Sequence, residues 1–183
     1  DGEQLNESIN RCNGQLKQIG NTFVAEPVYL TGAFHPKILL KIGRDGALLL
    51  IGSGNMTNGG WGGNQELFAQ WTLEKEDPNS SKIIGKVINS LMPYVNSQMA
   101  IQTLNRAFEY DWVIGSHPEE INDNLFITNP DSPLSEILAE KWNGKRYHTL
   151  RLFTGSTDQN GAFIEWCHNQ FGIEKCIIAS NEE

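Results

Sequence analysis

The stretch FHPKILLKIGRDGALLLIGSGNMTNGGWGGNQELFAQW, residues 34–71, carries most of what this chain says about its fold. Two apolar runs, HPKILLKI and ALLLIG, flank Gly43-Arg44-Asp45-Gly46, whose glycines and aspartate favour a turn, so residues 35–52 read as a β-hairpin. Both arms are apolar along their length, as strands covered on both faces are. His35 and Lys37 stand two apart at the entry to the first arm, and side chains two apart on a strand leave the same face. The second arm runs into Gly52-Ser53-Gly54-Asn55. Glycines at 52 and 54 let backbone N–H groups approach an anion, while Ser53 and Asn55 add side-chain donors. A neutral imidazole beside an ammonium can attack phosphorus while the cation holds the phosphate oxygens. Lys37, Ser53, Gly54 and Asn55 therefore form a candidate phosphate pocket, with His35 as its reactive group. It needs no metal and no cofactor, because Lys37 and the loop donors meet the charge that develops on the equatorial oxygens.

Working outward, Leu5, Ile9, Cys12, Leu16 and Ile19 fall three or four apart and predict a helix over residues 5–19. Residues 22–30, TFVAEPVYL, read as a strand in which Pro27 suits an edge or a bulge. Residues 66–73 read as a further strand. A helix follows, capped at Asn79 or Ser80, with its apolar positions between Ile83 and Val95 and with Pro93 kinking or ending it. Loops dominate residues 111–147, apart from a short helix running from the cap Ser132 and Pro133 to Trp142. Then YHTLRLFTGS, GAFIEWCHNQF and EKCIIAS read as strand, helix and strand. The expectation is an α/β protein in three parts. Residues 1–110 form a lobe carrying His35 and Lys37, 111–147 a connecting segment, and 148–183 the start of a second lobe.

Composition narrows the classes. The 183 residues are 39% hydrophobic and 20% charged, an ordinary globular balance, and no run approaches the length of a membrane span. The chain begins without methionine or a signal-peptide pattern, so a fragment or a processed product in the cytoplasm is expected. Cys12, Cys167 and Cys176 have no C-x-x-C spacing and cannot all pair, which speaks against a disulfide framework and a structural zinc site. Net charge is −8, and the acidic excess lies almost wholly after residue 100. Strong non-specific nucleic-acid binding needs a basic face, and none is advertised.

The pair His35-Pro36-Lys37 followed by Gly52-Ser53-Gly54-Asn55 resembles the motif of the phospholipase D superfamily, H-x-K, an apolar hairpin, then G-S-x-N. The resemblance implies a mixed β-sheet flanked by helices and a two-step phosphodiesterase. One histidine forms a phosphohistidine, and a second protonates the leaving group and then activates water. On this chain it makes His35 the nucleophile or its acid/base partner, and Lys37 and Asn55 the phosphate ligands. Glu66, eleven residues after Asn55, becomes the group that orients an imidazole. The family's usual aspartate five residues after the lysine is here Ile42. Branches with a longer hairpin omit it, among them the tyrosyl-DNA phosphodiesterases, which carry a Trp just after the loop, where this chain has Trp61. A nuclease or DNA-processing enzyme is therefore expected ahead of a phospholipase. The family uses two motifs per site and this chain has one, so the second is expected beyond residue 183 or on a homodimer partner.

Blander readings stand beside these. The same pocket could serve a non-catalytic phosphate-binding module of a helicase or restriction system. The run GSGNMTNGGWGG is neither a P-loop nor G-x-S-x-G. Trp61 either stacks on a base or packs under its own loop. His117, His148 and His168 show no ligand spacing, Trp112, Trp142 and Trp166 read as core, and the acidic stretch 119–140 reads as a solvated face.

Overall fold

The computed structural model describes residues 2–12, 18–30, 34–114, 133–154 and 158–179. They form a mixed α/β protein with one antiparallel and one parallel sheet, divided into two compact units, Asp1–Leu125 and Phe126–Glu183.

In the first unit β1 (Ile38–Ile42), β2 (Gly46–Gly52) and β3 (Phe68–Glu74) make an antiparallel sheet in the order β1-β2-β3. The hairpin read from the sequence is present, with Gly43 N–H donating to Gly46 O across its turn at 2.9 Å. Leu40 lies opposite Leu49, and Leu49 opposite Trp71. This register sorts the side chains by face. One face carries Ile38, Leu40, Leu49, Ile51, Trp71 and Leu73, and there Leu49 and Leu73 are buried. The other carries Leu39, Leu48, Leu50, Phe68, Gln70 and Thr72, where no residue is fully buried. The arms are thus covered on one face and half-open on the other, which corrects the expectation of two covered faces.

Helix α2 (Pro78–Leu91) packs against β3 and buries Ile84, Val87 and Ile88. Its cap is Asp77, whose carboxylate accepts from Asn79 N–H at 2.9 Å, rather than Asn79 or Ser80. Pro78 takes the first helical position, where a missing N–H costs nothing. Ser80 and Ser81 are instead buried, and Ser81 Oγ accepts from Ile114 N–H at 2.7 Å. The helix ends at Leu91 and tightens into a 3₁₀ turn, Met92–Tyr94, around Pro93. Nearby, Trp112 is buried and its indole N–H donates to Gly43 O at 3.0 Å, fastening the turn end of the hairpin. The opposite end of the sheet is where β1 begins and β2 finishes.

Two expectations near the N-terminus need correction. α1 spans Gly2–Arg11, whereas residues 18–23 form turns with an isolated bridge between Ile19 and Phe23; Leu16 lies outside the described residues. The predicted strand over 22–30 joins no sheet. Pro27 has no N–H to give a ladder, and the segment is held singly, by Gly2 N–H on Val28 O and by Glu26. The Glu26 carboxylate receives Asn96 N–H at 2.9 Å, Ser97 N–H at 3.0 Å and the Ser97 hydroxyl at 2.5 Å. These donors, the Ser97 hydroxyl foremost, hold its carboxyl below the usual carboxylate range. They also fix the start of α3 (Gln98–Asn105), a helix the sequence reading passed over.

The second unit contains α4 (Leu134–Lys141), β4 (Thr149–Phe153), α5 (Ala162–Phe171) and β5 (Lys175–Ala179). β4 and β5 pair in parallel, and α5 supplies the crossover that parallel neighbours need. Cys167, Phe171 and Ile173 form the core, with Leu138, Trp142, Leu150 and Trp166 against them. α4 therefore packs with this unit, although the sequence places it in a connecting segment. Its N-cap is Pro133, and Ser132 lies outside the described residues. Gly161 and Gly172 bound α5 with φ of 66° and 67°, a conformation other residues rarely adopt. Burial raises the Cys167 thiol above its usual range, and nearby Cys176 adds to this. Among the described residues no helix is long and apolar enough to cross a membrane.

Candidate active site

The β1–β2 register continues one pair past the strands, with Gly52 N–H donating to Lys37 O at 3.2 Å. At the same end Ser53 N–H donates to Leu67 O at 3.0 Å, continuing β2–β3. Lys37, Gly52 and Phe68 therefore form one row across three strands, on the half-open face. His35 precedes Lys37 by two residues and is exposed.

Lys37 Nζ lies 2.5 Å from His35 Nδ1 and 3.0 Å from His35 O. An ammonium has three donors and no acceptor, so Lys37 donates and Nδ1 accepts. A neutral imidazole that accepts at Nδ1 carries its proton on Nε2. In this state the lysine occupies the ring, and the ring cannot use Nε2 as a nucleophile until Lys37 leaves and the proton moves to Nδ1.

The loop after β2 is built on close backbone contacts. A side chain at Gly54 would sit 2.5 Å from Gly60 O and 2.7 Å from the Phe68 ring. One at Gly60 would strike the Asn55 backbone, and one at Gly52 the Phe68 ring. Glycine is thus required where the loop folds onto itself, and Gly54 and Gly60 are buried beneath it. Residues Gly59–Gly63 complete a π-helical turn, closed by Asn64 N–H on Gly59 O at 2.8 Å. Thr57 Oγ1 accepts from Gly60 N–H at 3.2 Å. Asn55 stands exposed at the loop's start, and its carbonyl accepts from Thr57 N–H at 2.8 Å.

Glu66 lies at this end of the sheet, but on Ser53 rather than on an imidazole. Ser53 Oγ donates to Glu66 Oε2 at 2.5 Å and accepts from Leu67 N–H at 3.1 Å; Asn64 Nδ2 donates to Glu66 Oε1 at 3.4 Å. Among the described residues these are the carboxylate's partners. The expected groups thus fall into two sets, His35 with Lys37, and Ser53 with Glu66, tied together through the Lys37–Gly52 backbone bond. Trp61 is 49% exposed and meets the Phe68 ring with centroids 5.7 Å apart, so it packs on the first residue of β3 and also shows a face to solvent.

Sequence reading missed Phe68, Asn64 and Thr57. Strand alternation held the signal for Phe68, since the partner of Gly52 must share its face. Behind the entry to β1, Phe34 packs on Tyr94 with centroids 5.0 Å apart. Both line a mostly apolar cavity of about 240 Å³ with Val24, Val28, Leu91 and Leu104, and the ring contact anchors the chain immediately before His35. Of the other histidines, His148 Nε2 lies 3.3 Å from Glu174 and His168 Nδ1–H donates to Ile173 O at 2.6 Å. His117 lies outside the described residues. Among those residues no three His, Cys, Asp or Glu side chains are grouped so as to hold a metal ion.

No protein-family model, curated protein or solved structure matches this chain.

Proposed function

We propose that the chain carries half of a phospholipase D-type site for a phosphodiester, most simply a nucleic-acid one, and that the protein cleaves it without a metal. One observation carries this: an exposed imidazole and an ammonium, 2.5 Å apart, stand at the sheet end where a self-packed glycine loop presents Asn55. A phosphodiester draws Lys37 from His35 Nδ1 onto its oxygens, and the ring proton moves to Nδ1. His35 Nε2 then attacks phosphorus, a P–N bond forms, and the P–O bond to the leaving group breaks. A second imidazolium gives the leaving oxygen its proton. As a neutral base it then takes a proton from water, whose oxygen displaces His35 from phosphorus. That second histidine belongs to a second copy of the motif, elsewhere in the protein or on another protomer.

A second reading is favoured by the Glu66 carboxylate, which is held by Ser53 and Asn64 instead of aligning a ring. Here the same pocket binds a phosphate backbone without cleaving it. Cleavage of single-stranded and duplex DNA in EDTA separates the two. The catalytic reading expects turnover with chelator and a loss of at least about a thousandfold in His35→Ala. Binding without turnover selects the module, and activity that vanishes on chelation contradicts the metal-free mechanism.

A further inference from the structure

The loop that follows β2 carries aromatic and carboxamide side chains and no cation of its own. Residues 52–70 contain no lysine or arginine, and residues 1–100 as a whole are close to neutral, with eight basic against nine acidic side chains. Binding through phosphate neutralisation, on which duplex binding depends, has little to act on here. On the row Lys37-Gly52-Phe68, strands about 4.8 Å apart put the Phe68 backbone about 10 Å from that of Lys37. The Phe68 ring lies back across Gly52 and Gly54, with Trp61 tilted at 52° beside it and half-exposed. A nucleotide whose phosphate sits at Lys37 can reach that ring pair with its base.

We infer that the site takes single-stranded nucleic acid, holding the base next to the reacting phosphate on the Trp61–Phe68 platform. This rests on the phosphate-site reading of His35 and Lys37. Stacking needs an unpaired base with a free face, which a duplex interior does not offer, and it needs no net charge. The rim decides against a lipid. Asn55, Asn58 and Asn64 are all exposed on the same loop as Trp61; carboxamides suit base edges, whereas pressing three of them into acyl chains is costly.

The test is fluorescence anisotropy of a labelled single-stranded oligodeoxynucleotide and its duplex, with EDTA, on the full protein carrying His35→Gln to prevent turnover. Single strand should bind at least about tenfold more tightly than duplex. Trp61→Ala should weaken single-strand binding about five- to 150-fold, while Trp61→Phe keeps it within about threefold. The salt slope should be no steeper than about −1.5, that of roughly two neutralised phosphates on a single strand. Equal affinity for duplex, or no effect of Trp61→Ala, overturns the platform. If Lys37→Ala still abolishes binding in that case, the phosphate site itself survives. Binding that ignores Lys37→Ala overturns the phosphate site and this placement with it. Trp61-dependent binding to phosphatidylcholine vesicles, with none to oligonucleotide, assigns the rim to lipid and also overturns the proposal.

Discussion

Replacing Ser53 by alanine separates two roles for that hydroxyl. In the structure it spans the end of β2 and the start of β3, donating to Glu66 and accepting from Leu67 N–H. A neutral hydrogen bond contributes about 0.5–1.5 kcal/mol net, and one to a charged group about 1.5–3. Both partners reach solvent, Leu67 being 81% exposed, so water takes over part of each bond. The expected total is about 1–2 kcal/mol for Ser53→Ala, because Ser53 N–H keeps its bond to Leu67 O. In urea unfolding this is a midpoint lowered by about 0.5–1 M at unchanged slope. A double-mutant cycle with Glu66→Ala should show coupling above about 0.5 kcal/mol, because half of the serine's role disappears with the carboxylate. If stability is unchanged and the two substitutions are additive within about 0.3 kcal/mol, the Ser53–Glu66 tie is not made in solution. A large fall in substrate affinity with no fall in stability would then assign Ser53 to phosphate binding alone.

Three further outcomes follow from the same geometry. Glu26→Gln should lower stability at neutral pH. Because the folded-state carboxyl lies below its usual value, its contribution is complete above the unfolded value and fades as pH falls through the folded one. The gap between variant and parent, followed by thermal unfolding, should therefore close on the acid side and stay constant above it. Gly54→Ala sets a methyl against Gly60 O and the Phe68 ring and should cost about 1–3 kcal/mol in chemical denaturation, with the loop and its binding disturbed. Leu49→Ala removes the fully buried centre of the sheet and should cost about 2–5 kcal/mol by the same measurement.

The hairpin, β3, α2 and the succession of β4, α5 and β5 were legible because each rests on a local signal, such as apolar runs around a Gly-Arg-Asp-Gly turn or a 3.6-residue period. The segment 22–30 was misread because its β-branched residues satisfy a strand pattern, whereas its backbone is held by Glu26 and Val28 through contacts distant in sequence. α3 does carry a local signal, the cap Ser97 whose hydroxyl accepts from Ala100 N–H, and the reading passed over it; the Glu26 carboxylate that also holds this start lies seventy residues away. At the candidate site the spacing of His35 and Lys37 was readable. That Lys37 caps the imidazole, and that Glu66 turns to Ser53, depends on side-chain geometry that spacing does not specify.

The decisive measurement is the imidazole ¹⁵N spectrum of His35, assigned by loss of its signal in His35→Gln, during titration with dimethyl phosphate in EDTA. The free protein should show a neutral ring with its proton on Nε2, and saturation should move the proton to Nδ1 as Lys37 transfers to the phosphate, a change absent in Asn55→Ala or strongly weakened there. A ring that keeps its tautomer under saturating phosphodiester, with Lys37 still bound to Nδ1, would contradict a shared grip by His35, Lys37 and the glycine loop.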